Sequence, residues 1–255
     1  MTIARILPNS LSAPLFGDRK AFGLVPDESD PEWLAWQEEY IDFYQNIQKD
    51  GVGKRINDAG YQILNYVDWR EKSLVEIGPG LIPHITLWEN SPATYTAVDI
   101  NQKFLDQTEK SLHRLYPNCP FTGILQTNRQ ATLCLKDESA DMIVSFYALE
   151  HLHPLEHFLD DYRRILKQGG LLVGAIPNEG GLAWGLGRFL TSRRWIHKNT
   201  NINYDKIICW EHPNFVDKII EGLDERFERN DLSQYPLKLP IYDMNLVTTF
   251  VYQKP

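Results

Sequence analysis

Residues 73–80 read SLVEIGPG, and a second apolar run, TYTAVDI, follows at 94–100. Short runs of β-branched and aliphatic residues bounded by turn residues predict strands buried on both faces of a sheet. The first run ends in Gly78 and Gly80. Glycines at a strand end let the chain turn sharply and let a ligand approach the backbone closely, where any side chain would collide. The second run closes on Asp99, and a carboxylate there can accept both ribose hydroxyls of a nucleoside lying across the strand ends.

Working outward, FTGILQ (121–126), DMIVSFYA (141–148) and LLVGAIP (171–177) continue the series of strands. A helical stretch separates the first two strands. Between the last two, Leu155, Phe158, Leu159, Tyr162, Ile165 and Leu166 mark one face of a helix that Gly169–Gly170 terminate. Strand–helix alternation of this length predicts an α/β architecture: a doubly wound, mostly parallel sheet with right-handed crossovers and helices on both faces. NFVDKIIEGLDERF (214–227) reads as a further helix and NLVTTFVYQ (245–253) as a closing strand, with a loop carrying Pro236 and Pro240 between them. The alternation lapses over 178–213, a length beyond a plain connection, which predicts a cap over the substrate after strand five.

Upstream, residues 1–30 read as an irregular arm. From Pro31, Trp33, Trp36, Tyr40, Phe43, Tyr44 and Ile47 share one helical face that Asp30 can cap. A second helix is predicted across Gly53 to Val67. The expected organisation is an arm and helical extension over 1–70 packed on a main domain over 71–255.

Several alternatives fall away on residue type. A dinucleotide fingerprint begun at Gly78 needs glycine at position 83, which is Pro83, and no Gly-Lys-Ser/Thr phosphate loop is present. The 255 residues carry a formal net charge of −8, which disfavours a phosphate-backbone binder, so no nucleic-acid partner is expected. Cys119, Cys134 and Cys209 lie far apart and suggest neither a disulfide framework nor a zinc knuckle. With no long apolar stretch, no transmembrane segment is predicted, and a cytoplasmic location is expected. Homo-oligomerisation stays open.

On VEIGPG (75–80), TAVDIN (96–101), DESADMIVSFYALEHL (137–152) and RRILKQGGLLV (163–173), the chain resembles the class I S-adenosylmethionine-dependent methyltransferases, especially the type-11 group. The likeness is close over 70–177 and looser to the C-terminus. It implies a Rossmann-like sheet with an antiparallel closing strand and S-adenosylmethionine as cofactor. It also implies that Glu76, Gly78 and Gly80 face the methionine part of the cofactor, that Asp99 holds the ribose and that Ile100 packs on the adenine. Ile82 stands where the family often has a third glycine. Gln126, Thr127 and Asn128 stand where it often has an aspartate that meets the adenine amino group, so Gln126 and Asn128 are the candidates for that contact. Tyr147 and Ala148 should border the cofactor.

Methyl transfer is an in-line displacement at a sulfonium carbon, so the protein must align the nucleophile and, for a hydroxyl acceptor, remove a proton. Glu150 and His151 follow the fourth strand, and His151 is the candidate general base, weighed against a structural helix start. Relatives that hold a divalent metal use Glu-x-x-Glu-His, but Tyr147 occupies the first glutamate position, so no metal is expected. Glu211–His212 in the cap reads as a chance match to a ligand pair. In the same segment Arg188, Arg193 and Arg194 are candidate donors to an anionic acceptor, and Tyr204 and Trp210 are candidate stacking surfaces. The expected activity is methylation of a small-molecule hydroxyl on a glycan, a sugar-linked precursor or a secondary metabolite. The rivals are a quinone or lipid methyltransferase at a membrane surface and a non-catalytic protein that binds the cofactor.

Overall fold

A computed structural model describes residues 1–43, 51–81, 83–127 and 132–255. Tyr44, Ile47, Ile82 and Asn128, and the side chains of Tyr40 and Phe43, lie outside the described residues.

The strands are β1 (Ser73–Ile77), β2 (Thr94–Asp99), β3 (Phe121–Leu125), β4 (Ala140–Phe146), β5 (Leu166–Pro177), β6 (Glu228–Tyr235) and β7 (Val247–Gln253). They form one sheet in the order β3-β2-β1-β4-β5-β7-β6. Pairing is parallel from β3 through β5, and β7 runs antiparallel between β5 and β6. The chain steps outward from β1 to β3 and then returns to β4 on the other side of β1. That reversal is the topological switch point, where open α/β sheets bind ligands beyond the carboxyl ends of the strands. Register brings the two strand ends level there, with Glu76 opposite Val144 and Ile77 opposite Ser145.

The central strands are buried on both faces, as their unbroken apolar runs require. Helix α6 (Leu155–Ile165) turns Leu155, Phe158, Leu159, Tyr162 and Ile165 into a core shared with β4, β5 and α10 (Val216–Asp224). On the opposite face, Tyr61, Trp69, Trp88, Tyr95, Leu105 and Leu112 pack against β1 and β2, the last two from α5 (Gln102–Leu115).

Three elements depart from expectation. The stretch read as a loop after α10 is strand β6, an edge strand whose polar sequence ERNDLSQY faces mostly solvent. Edge strands need only one ladder and one packed face, so they lack the apolar run that marks a central strand. Between β1 and β2, where a helix was expected, the described residues hold a 3₁₀ turn, Pro83–Leu87. The arm read as irregular contains α1 (Asn9–Phe16) and α2 (Arg19–Phe22), each too short for a periodic apolar signal.

Helix α3 (Pro31–Phe43) begins as expected, with Asp30 Oδ1 accepting from the backbone N–H groups of Glu32 and Trp33 at 2.9 and 3.1 Å. Helix α4 (Gly51–Tyr61) continues into a 3₁₀ turn, Gln62–Tyr66. The segment 178–213, expected as a cap, is helical: α7 (Leu182–Leu190), α8 (Ser192–Asn199) and α9 (Tyr204–Glu211). Trp33 and Trp36 of α3 join Ile196, Tyr204, Ile207, Ile208 and Trp210 in a separate apolar cluster, so the N-terminal extension and the cap share one core.

Candidate functional site

At the carboxyl end of β1 the chain passes through left-handed backbone at Gly78 (φ 67°) and Gly80 (φ 55°), conformations that cost a non-glycine residue about 1 kcal/mol or more. The Gly78 N–H donates to the Val98 carbonyl at 2.9 Å. A Cβ at position 78 would stand 2.9 Å from the Ala148 Cβ, closer than side-chain carbons approach. The glycine turn and the end of β4 therefore touch at the switch point.

Asp99, 8% exposed at the end of β2, accepts from the Asn101 N–H at 2.8 Å. Burial pushes its carboxyl up to about 6, against the opposing hydrogen bonds from the backbone N–H groups of Asn101, Gly80 and Ile100. Ile100 leaves its side chain 58% exposed beside it. Gln126 donates its backbone N–H to the Asp99 carbonyl at 2.9 Å, which keeps the start of the next loop at the same edge. A glycine cradle that a side chain would fill, next to a strand-end carboxylate and an open apolar side chain, fits a nucleoside with a charged tail.

Glu76 is tied into the frame of the site. Its side chain is 1% exposed, and both oxygens are taken: Oε2 by the Tyr95 hydroxyl at 2.5 Å and Oε1 by His84 Nε2 at 2.7 Å. Trp88 Nε1, which can only donate, reaches His84 Nδ1 at 3.2 Å, so His84 carries its proton on Nε2 and donates it to Glu76. The carboxylate thus pins the segment after the glycine turn to β1 and β2. Tyr147 is likewise a strut. It adopts φ 54°, donates its N–H to the Ala175 carbonyl at 2.8 Å and its hydroxyl to the Ile56 and Asn57 carbonyls at 3.1 and 3.0 Å. Such backbone costs about 1–3 kcal/mol and persists where the surroundings over-determine it.

Beyond Ala148, the 3₁₀ turn Leu149–His151 delivers Glu150 and His151 into a partly buried ionisable cluster beside residues 178–213. His151 Nδ1 lies 2.7 Å from the Glu211 carbonyl and 3.3 Å from Glu211 Oε2, and its Nε2 lies 3.9 Å from Glu150 Oε1. The neighbouring His212 is bound through Nδ1 to Glu179 Oε1 at 2.5 Å, and the two imidazoles meet edge to face with centroids 4.6 Å apart. Trp36 Nε1 donates to Glu211 Oε1 at 2.9 Å. Arg19 holds the carbonyls of His212 and Pro213 at 2.7 Å each. Glu150, 2% exposed, has an oxygen, Oε2, with no hydrogen-bond partner.

Charge in this cluster bears on the part His151 can play. Burial disfavours a charged His151, but the Glu211 hydrogen bond and the charges of Glu150 and Glu211 lift it to about 9. The ring therefore carries a proton at neutral pH rather than standing ready as a base near 7. Burial raises the Glu150 carboxyl. Glu211 and Glu179 fall below the usual range, because His151 and His212 respectively outweigh their burial.

The cap residues singled out as acceptor contacts are largely scaffold. Arg188 is 6% exposed and donates Nε to the Leu15 carbonyl at 2.9 Å. Arg193 grips Asp205 in a fork, Nε–Oδ1 2.8 Å and Nη2–Oδ2 2.6 Å. Tyr204 and Trp210 are buried in the cluster with Trp33 and Trp36, and Trp210 Nε1 donates to the Phe22 carbonyl at 2.9 Å. Arg194 alone of the five is exposed on the surface. Arg19, Trp36, His84 and Glu179 were not anticipated. Glu179 follows strand five much as Glu150 follows strand four, a positional parallel that could have flagged it.

Residues 75–174 match the family model described as a methyltransferase domain. Two curated proteins from Mycobacterium tuberculosis strains, each named a "probable S-adenosylmethionine-dependent methyltransferase", are 32% identical over 74 residues, 29% of this chain and 27% of theirs. Over residues 75–174 the chain carries a methyltransferase domain. The match spans about a quarter of those relatives' length. Solved structures agree on the fold. The N-methyltransferase NodS from Bradyrhizobium japonicum, in complex with S-adenosyl-L-homocysteine, superposes with a TM-score of 0.58 at 16% identity, covering 89% of this chain and all (100%) of that one. A methyltransferase from Mesorhizobium loti gives 0.57 at 15%, covering 78% and 100%. The CurJ carbon methyltransferase gives 0.59 at 17%, covering 96% of this chain and 66% of its own. S-adenosylmethionine is the cofactor of this methyltransferase domain, and the Gly78–Gly80 cradle with Asp99 is the part of the chain that suits it. Among the described residues no helix is long and apolar enough to cross a membrane.

Proposed function

We propose that the protein methylates a hydroxyl of a small-molecule acceptor, of the glycan, sugar-linked or secondary-metabolite kind. The carrying observation is the orphan oxygen of Glu150, buried at the switch point two residues beyond the alanine that abuts the glycine turn. An unpartnered buried carboxylate oxygen costs about 1–3 kcal/mol, a cost relieved when a donor arrives. An acceptor hydroxyl is such a donor.

When bound, S-adenosylmethionine supplies an electrophilic methyl group on a sulfonium. Gly78 and Gly80 admit the cofactor's tail, and Asp99 accepts from its ribose hydroxyls. Glu150 Oε2 would take the acceptor's proton as the acceptor oxygen attacks the methyl carbon, with the cofactor leaving as its neutral thioether. The charge of His151 works against the burial that raises the Glu150 carboxyl, and His151 is itself held by Glu211. The cap, tied down by Arg19 and Trp36, keeps water away from the transfer.

Glu150→Gln keeps the shape and removes the proton acceptor. Turnover should fall about 10²–10⁴-fold, the range for loss of a general base, while S-adenosylhomocysteine affinity stays within about threefold. Turnover within about threefold of the parent would remove Glu150 from the chemistry.

A further inference from the structure

Both histidines of the cluster have one ring nitrogen committed. A carbonyl oxygen can only accept, so His151 Nδ1, 2.7 Å from the Glu211 carbonyl, carries a hydrogen. His212 Nδ1, 2.5 Å from the Glu179 carboxylate, does the same. That leaves Nε2 as the nitrogen each imidazole can turn to a ligand, and on His151 a bound ion takes the place of the proton that Nε2 otherwise carries. Such anchoring of the far nitrogen by a carbonyl or a carboxylate is how proteins orient a histidine that ligates a metal.

The ligands also converge. One ligand atom from each of His151, Glu211 and His212 lies within 4.8 Å of the other two. Glu150 presents an oxygen 3.9 Å from His151 Nε2 and keeps its other oxygen unpartnered in a side chain 2% exposed. Three carboxylates, Glu150, Glu179 and Glu211, thus gather around two imidazoles. The cations nearby, Arg19 and Arg188, hold backbone carbonyls on the arm and on 212–213, and each keeps one buried nitrogen without a partner. We infer that His151, His212 and Glu211, with Glu150 beside them, form a site for one divalent first-row transition-metal ion. Two imidazoles with carboxylate oxygen suit ions such as manganese, iron, cobalt, nickel or zinc, whereas magnesium and calcium take sets made of oxygen alone. Glu179 is a positioning residue, since it reaches the ion only through His212.

The role of the ion rests on the hydroxyl-transfer reading: a cation beside Glu150 favours the oxygen anion that attacks the methyl group. Its binding does not rest on that reading, so the two are tested apart. The full chain, treated with a chelator and dialysed, is titrated with Co²⁺ alone, followed by calorimetry and by the visible absorption of the bound ion. The expected result is one Co²⁺ per chain, with affinity lowered at least about 10-fold in His212→Ala and about 10–100-fold in Glu179→Gln. S-adenosylhomocysteine binding, measured on each variant, reports whether it has folded. No Co²⁺ uptake by the parent chain overturns the site. So does uptake of equal affinity in Glu179→Gln and in the His151→Ala/His212→Ala pair. Methyl transfer at full rate by chelated protein that takes up no Co²⁺ also overturns it and leaves the proposed function standing. Co²⁺ uptake without methyl transfer to any hydroxyl acceptor upholds the site and counts against the proposed function.

Discussion

Asp99→Asn isolates charge from shape at the ribose position. Asparagine keeps one oxygen for the Asn101 N–H, held at 2.8 Å in the native side chain, but turns an amide donor toward the backbone N–H groups that surround the carboxylate. A charge-assisted hydrogen bond contributes about 1.5–3 kcal/mol, so S-adenosylhomocysteine affinity should fall about 10- to 150-fold. Burial adds a second signature, because it lifts the native carboxyl to about 6. Protonation removes the anionic acceptor, so affinity is full above that value and is lost as pH falls through it. At about pH 5 only about a tenth of the groups are ionised, and the apparent dissociation constant should rise about tenfold from its value near pH 7.5. Calorimetric titration across that range, with the parent and the variant side by side, measures both effects. The variant should be weak and flat with pH. Equal affinity in the two proteins, or a parent profile as flat as the variant's, would refute the assignment of Asp99.

Two further predictions concern the frame of the site. Gly78→Ala places a Cβ 2.9 Å from the Ala148 Cβ on backbone at φ 67°, so it should destabilise the fold by about 1–3 kcal/mol and lower the melting temperature by about 2–10 °C in a thermal scan. Arg193→Ala and Asp205→Ala should each destabilise by about 0.5–1.5 kcal/mol, and the double variant should lose little more than either alone, since each removes the same half-buried fork. Both should leave the acceptor KM unchanged, and a raised KM in Arg193→Ala alone would return that arginine to the acceptor site.

The central sheet was legible because β1, β2, β4 and β5 are buried on both faces over most of their length, so their largely apolar runs stand out in the chain. Helix α6 was legible for the complementary reason, its five inward residues repeating at three- and four-residue spacing. Strand β6 was hidden by its place at the edge, where ERNDLSQY turns polar groups outward and reads as a loop. At the site, the glycine turn and Asp99 are local features, and their positions follow from two strand ends. Glu76 shows the limit of local reading. Its place in the motif suggests a cofactor contact, yet His84 and Tyr95, eight and nineteen residues away in sequence, consume both oxygens. The ionisable cluster is more distant still. His151 meets Glu211 across 60 residues and His212 meets Glu179 across 33, pairings made only when the cap folds back over β4 and β5. Arg188, Tyr204 and Trp210 misled for the same reason. A charged or aromatic residue in an insertion looks free until the α3 tryptophans are seen packing beneath the cap.

The most direct test is transfer of label from S-adenosylmethionine, radioactive in its methyl group, into the small-molecule fraction of a cell extract, with the parent chain and Glu150→Gln run in parallel. Label that enters a compound heavier by one CH₂ with the parent, and is all but absent with the variant, is the predicted result. A parent chain that binds S-adenosylhomocysteine yet moves no label into any acceptor, or a variant that moves as much as the parent, would contradict it.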